Sequence, residues 1–86
     1  MNEIRSKITS ILAEKLALDG SDLADSQKFY DDLGVDSLDF FEVIVAIEKS
    51  FNISIADDEV ERLNTVGSLV AYVEKKASRH SLLLVA

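Results

Sequence analysis

Apolar residues recur along this chain at helical spacing, in blocks separated by short polar breaks. From about Glu3 to Leu16 they fall at Ile4, Ile8, Ile11, Leu12 and Leu16. Steps of four, three and one mark a single helical face. Asp19-Gly20-Ser21-Asp22 then stops the pattern, with Gly20 suited to a left-handed cap. A long connection follows, to about Asp36. A loop of that length is unusual unless packed, so Leu23, Phe29, Tyr30, Leu33 and Val35 are expected to fold back onto the core. The second helix starts at Asp36 or Ser37 and runs to about Ser50. Its apolar residues, from Leu38 and Phe40-Phe41 through Val43 to Ile47, cover more than one stripe, which predicts a central position.

Residues 51–56 read as a short extended link. A brief helix over Asp57 to Leu63 has three acidic residues suited to the positive end of its dipole. Asn64 or Thr65 can cap a final helix to about Ala77, with Val66, Leu69, Val70 and Val73 facing inward. The expected fold is all-α: a small bundle of three longer helices and one short one, with a long loop between helices 1 and 2. Residues 1–77 form the domain. Residues 78–86 are expected to be a frayed apolar extension of unknown role.

Composition agrees with a helical reading. The 86 residues contain no proline, no cysteine and three glycines, at 20, 34 and 67. Helix breakers are therefore sparse, and neither a disulfide nor a thiolate metal site can form. Nothing at the N-terminus reads as a signal peptide, and no apolar run is long enough for a membrane span, so a cytoplasmic setting is expected. The formal charge is −7. Nucleic acid and anionic membranes are poor partners for that surface, whereas basic protein patches are good ones.

The charge is concentrated. Between Asp31 and Glu61 ten carboxylates face one lysine, Lys49, so that segment carries −9 and the remainder of the chain +2. Within it, Leu33-Gly34-Val35-Asp36-Ser37-Leu38-Asp39 places a serine at the start of the second helix. Without a neighbouring histidine or cysteine, Ser37 makes a poor nucleophile. It makes a good attachment point, because a phosphodiester there lies near unpaired N–H groups at the positive end of a helix. Asp39 and Glu42, three residues apart, share a helical face near it.

The run Phe29-Tyr30-Asp31-Asp32-Leu33-Gly34-Val35-Asp36-Ser37-Leu38-Asp39 closely resembles the prosthetic-group site of the acyl carrier proteins. The similarity continues through Glu42, Ala46-Ile47-Glu48, Phe51, residues 53–61 and Thr65-Val66. It implies that Ser37 carries 4′-phosphopantetheine, donated by coenzyme A through a phosphopantetheinyl transferase, with Asp36 and Leu38 flanking the attachment. Acyl chains would ride on the arm as thioesters. Asp39, Glu42, Glu48, Asp57 and Glu61 would meet basic patches on acyl-loading, condensing or acyltransferase enzymes. Phe41, Ile44, Val45, Ile55 and Val66 would line or border an interior that opens around the chain. The implied protein is a monomeric carrier in fatty acid, lipid or polyketide-type biosynthesis; it is not itself an enzyme and holds no metal.

Three departures from the family pattern stand out. Lys49 and Ser50 replace common glutamates, Phe40-Phe41 replaces smaller residues, and Ala56 stands where proline is usual. They suggest a carrier dedicated to one pathway. An aminoacyl or peptidyl carrier is the alternative within the same chemistry. A non-carrier acidic interaction module is the alternative outside it. The acidic segments lack EF-hand spacing, which argues against a calcium loop. His80, the only histidine, falls in the expected extension and has no evident catalytic partner.

Overall fold

The computed structural model describes residues 3–19 and 23–85, with side chains described through Ala77. Four helices follow in order: α1 (Glu3–Leu16), α2 (Ser37–Phe51), α3 (Asp57–Val60) and α4 (Val66–Val85). The described residues form no strand, only an isolated antiparallel bridge between Lys28 and Thr65.

The core is built from the faces that helical spacing selects. Ile8 and Leu12 of α1, Phe40, Val43, Ile44 and Ile47 of α2, and Val66, Leu69, Val70 and Val73 of α4 are all buried. Ile55 and Leu63 close it from the link and from the turn after α3. α1 and α2 run antiparallel, bringing Lys7 Nζ to 5.5 Å from the centre of the Phe51 ring. That contact adds a cation–π attraction to the packing.

Helix ends differ from the expectation in three places. α3, expected over Asp57 to Leu63, ends at Val60, where the Arg62 and Leu63 N–H groups bond only three residues back, to the Glu59 and Val60 carbonyls at 3.0 Å. α1 stops at Leu16 because Ala17 turns left-handed (φ 54°) and the Leu18 N–H bonds to the Ala13 carbonyl at 3.0 Å. This is a Schellman closure made without glycine; Gly20, expected in that role, lies outside the described residues. Asn52 (φ 55°) ends α2 the same way, with the Ile53 N–H on the Glu48 carbonyl at 3.1 Å. At the other end of the chain, the α4 backbone remains helical to Val85 and does not stop near Ala77. No glycine or proline follows Gly67 to interrupt it. His80 and the other side chains of residues 78–86 lie outside those described.

α4 begins on a reciprocal cap. The Ser68 N–H donates to Thr65 Oγ1 and the Thr65 N–H to Ser68 Oγ, both at 3.1 Å, a capping box with serine at the third helical position. The long loop supplies the remaining partners. The Val66 N–H reaches the Gln27 carbonyl at 3.0 Å, and the Gly67 N–H reaches the Asp25 carbonyl at 2.9 Å. Donors that a helix start leaves unpaired thus fasten residues 25–27 to α4, and the Phe29 N–H bonds to the Asn64 carbonyl just before it at 3.0 Å. Phe29 is fully buried at that junction, and the Arg5–Asp25 ion pair ties the same stretch to α1. Tyr30, expected to fold back onto the core with Phe29, packs on Phe40 with ring centroids 5.8 Å apart at 60° but stays half exposed.

Candidate functional site

Everything around Ser37 follows from how α2 begins. Gly34 takes a left-handed conformation (φ 66°), turning the chain so that Val35 is buried and Asp36 emerges extended. The Val35 N–H, bonded to the Phe29 carbonyl at 2.9 Å, fixes that turn against the core. Asp36 is the N-cap: its Oδ1 accepts from the Asp39 N–H at 2.9 Å, and its carbonyl accepts the Phe40 N–H at 3.0 Å. Because Asp36 does the capping, the Ser37 hydroxyl is left without a hydrogen bond among the described residues. Ser37 is exposed at the first helical position, and Leu38 beside it is 67% exposed.

This arrangement fits a phosphodiester. The serine oxygen is accessible, and the first-turn N–H groups and the helix dipole favour an anion beside it. Among the described residues no group of histidine, cysteine and carboxylate side chains could hold a metal. No helix among them is long and apolar enough to cross a membrane.

The predicted acidic residues separate into two sets. Glu42, Asp57 and Glu61 are exposed, and Asp39 is partly covered near the Asp36 cap. Glu48 faces the other way: its Oε2 accepts the Ile55 N–H at 2.8 Å, holding the α2–α3 link against α2. A carboxylate counted towards an outward patch thus serves as an internal brace.

The predicted chain-lining residues also divide. Ile44, Ile55 and Val66 are buried, as an interior requires. Phe41 is 61% exposed and Val45 only partly covered, and both line an external groove with Lys15, Glu42, Ala46, Lys49 and Ser50. Phe41, expected to line or border the interior, stands instead on the outer groove, and its neighbour Phe40, 4% exposed, faces the core. Successive helical residues point about 100° apart, so only one of the pair can face the core squarely.

Sequence reasoning missed the anchor of α3. Glu59 Oε1 accepts the Ala56 N–H at 3.3 Å and lies 3.8 Å from Lys76 Nζ. Lys76 Nζ in turn donates to the Tyr72 hydroxyl at 2.9 Å. Its hydrogen bond with Tyr72 holds the Glu59 carboxyl below its usual range, while burial pushes the Tyr72 hydroxyl up. The bond to Tyr72 also raises Lys76. α3 has no buried residue of its own, so this triad and the apolar margin of Val60 secure it. Two signals were available: the four-residue spacing of Tyr72 and Lys76, and a glutamate at the third position of a helix.

Residues 6–73 match the family described as the phosphopantetheine attachment site. An acyl carrier protein of Thermotoga maritima is 43% identical over 74 residues, covering 86% of this chain and 91% of that protein. Those of Akkermansia muciniphila and Porphyromonas gingivalis are 40% and 39% identical, with 92% and 96% of their lengths covered against 86% and 87% of this chain. Among solved structures, a putative acyl carrier protein from Anaplasma phagocytophilum superposes with a TM-score of 0.80 at 27% identity, covering 87% of this chain and 89% of that one. The acyl carrier protein of Enterococcus faecalis gives 0.74 at 27% identity, with 86% and 94% covered.

Proposed function

As the chain belongs to the acyl carrier protein family, we propose that Ser37 holds its covalent 4′-phosphopantetheine arm. The observation that carries this assignment is the Ser37 hydroxyl, exposed and unbonded at the first position of α2 while Asp36 does the capping. The arm supplies a terminal thiol for holding acyl chains as thioesters. The protein's own part is positioning. Asp36 shapes the turn, Leu38 offers an apolar contact beside the attachment point, and the first turn of α2 favours the anionic phosphodiester.

Catalysis belongs to the partners, a phosphopantetheinyl transferase and biosynthetic enzymes that load, extend or remove acyl chains. Asp39, Glu42, Asp57 and Glu61 steer basic surfaces of those enzymes towards Ser37, raising encounter rates more than final affinity. Tethering then replaces free diffusion of the cargo with a high effective concentration. Ile44, Ile55 and Val66 form the interior against which an acyl chain shelters. The reading extends to a monomeric, cytoplasmic carrier in fatty acid, lipid or polyketide-type biosynthesis, its altered α2 surface suiting a dedicated pathway.

Intact-mass measurement after incubation with coenzyme A and a broad-specificity phosphopantetheinyl transferase tests the assignment. The wild type is expected to gain one phosphopantetheine and Ser37→Ala none. Equal gain by the variant, or no gain by the folded wild type, would overturn it.

A further inference from the structure

The outer face of α2 carries both signs of charge around an apolar stripe. Leu38, Phe41 and Val45 follow one another at steps of three and four, which aligns them along one side of the helix. Phe41, Val45 and Ala46 line a groove of about 440 Å³, with Lys15 contributed by α1, and Lys49 and Ser50 by the last turns of α2. Glu42 also lines it. The antiparallel packing that places Lys7 over Phe51 carries Lys15, two turns later on α1, alongside the middle of α2. Neither Lys15 nor Lys49 forms an ion pair among the described residues. Lys49 is also the only cation in a segment of charge −9.

A uniformly basic docking surface does not complement this face. It would satisfy Asp39 and Glu42 but set like charge against Lys15 and Lys49, and like charges opposed across an interface are costly. The cost rises where an apolar contact excludes water, as an inserted side chain over Phe41 would do. We propose that the α1–α2 groove receives an apolar side chain of a partner enzyme that carries a carboxylate beside it. The partner's surface is then basic towards Ser37 and acidic where it meets Lys15 and Lys49. This inference rests on the carrier reading, because it takes the occupant to be an enzyme docking at α2. It makes the lysine pair a means of selecting partners and rejecting wholly basic ones.

The test uses the phosphopantetheinylated protein and a ketosynthase whose docking surface is wholly basic. A second form of that ketosynthase carries glutamate in place of the two cations nearest Lys15 and Lys49 in the arm-cross-linked complex. Affinities are measured by calorimetry for the wild type, for Lys15→Glu with Lys49→Glu, and for the glutamine pair at the same positions. On the wholly basic ketosynthase the glutamate pair is expected to bind about tenfold tighter than the wild type, with the glutamine pair between them. On the altered ketosynthase the order reverses, and Phe41→Ala lowers wild-type binding there. Equal affinities across the charge series, or no effect of Phe41→Ala, would overturn the proposal. So would concentration-dependent dimerisation lost with Phe41→Ala, or groove amide shifts on acylation alone, which assign the groove to another occupant. Prior mass measurement separates the two levels: absence of the arm on Ser37 sinks the carrier reading, whereas a loaded protein indifferent to charge sinks only this inference.

Discussion

Phe29 and Phe40 pack with ring centroids 4.8 Å apart at an interplanar angle of 44°, joining the loop that leads to Ser37 to the helix that Ser37 begins. Both rings are buried, and Phe40 also packs against Tyr30. Offset or tilted ring pairs add to the ordinary gain from burial.

The adjacent phenylalanines should therefore respond in opposite ways to truncation. Phe40→Ala is expected to cost about 3–5 kcal/mol, a large share of the stability of a domain this size. Phe41→Ala should stay within about 0.5 kcal/mol of the wild type, as an exposed side chain does. Urea denaturation of the two variants checks this, and equal losses would contradict the assigned burial.

Two glycines should resist alanine for different reasons. A Cβ at Gly67 would stand 2.9 Å from Asp25 Cβ and 3.0 Å from its carbonyl oxygen. Helix propensity alone favours alanine there by about 1 kcal/mol, but the clash reverses the sign and pries the long loop from α4. Gly34 has open space around it, so Gly34→Ala pays only left-handed backbone strain, about 1–2 kcal/mol. Amide exchange at residues 25–29 should accelerate in Gly67→Ala and change less in Gly34→Ala.

Ala17 presents the reverse case, a non-glycine residue held left-handed at φ 54°. Ala17→Gly relieves that strain and gives back part of the gain as unfolded-chain entropy. A net stabilisation of about 0.5–1 kcal/mol is expected, visible as a higher melting temperature.

Acid should loosen α3 through Glu59. The Glu59 carboxyl is lowered in the folded protein, first by its hydrogen bond with Tyr72. Its contribution is therefore present above the ordinary value of 4.5 and is lost as pH falls through the lower folded value. Tyr72 and Lys76 are raised, so theirs is present below the ordinary values of 10.0 and 10.5 and is lost as pH climbs past the folded ones. Glu59→Gln should flatten the acid limb of a stability–pH curve; an unchanged limb would contradict the triad.

Glu48 should matter for folding before docking. Glu48→Ala removes the acceptor of the partly buried Ile55 N–H and is expected to cost about 1–3 kcal/mol. Glu48→Gln keeps an acceptor and should cost less. Thermal unfolding and exchange of the Ile55 amide distinguish this from a purely outward, docking carboxylate, whose loss would leave both unchanged.

Much of this protein is local in origin, and local features are legible in a sequence. The apolar spacing of Ile8 with Leu12, and of Val66 with Leu69, Val70 and Val73, determined which helical faces are buried. Asp36 before Ser37, and Thr65 three residues before Ser68, determined where helices begin, because a cap is a bond between near neighbours in the chain. Tertiary structure decided what depends on distant segments. Phe40 goes in, against Phe29 from the distant loop, and Phe41 stays out. Glu48 turns inward because the chain reverses at Asn52 and returns the Ile55 N–H to it. Lys15 shares one groove with Phe41 and Lys49 because α1 packs antiparallel to α2. Those outcomes depend on which surfaces meet after collapse, a property that no single helix's periodicity contains.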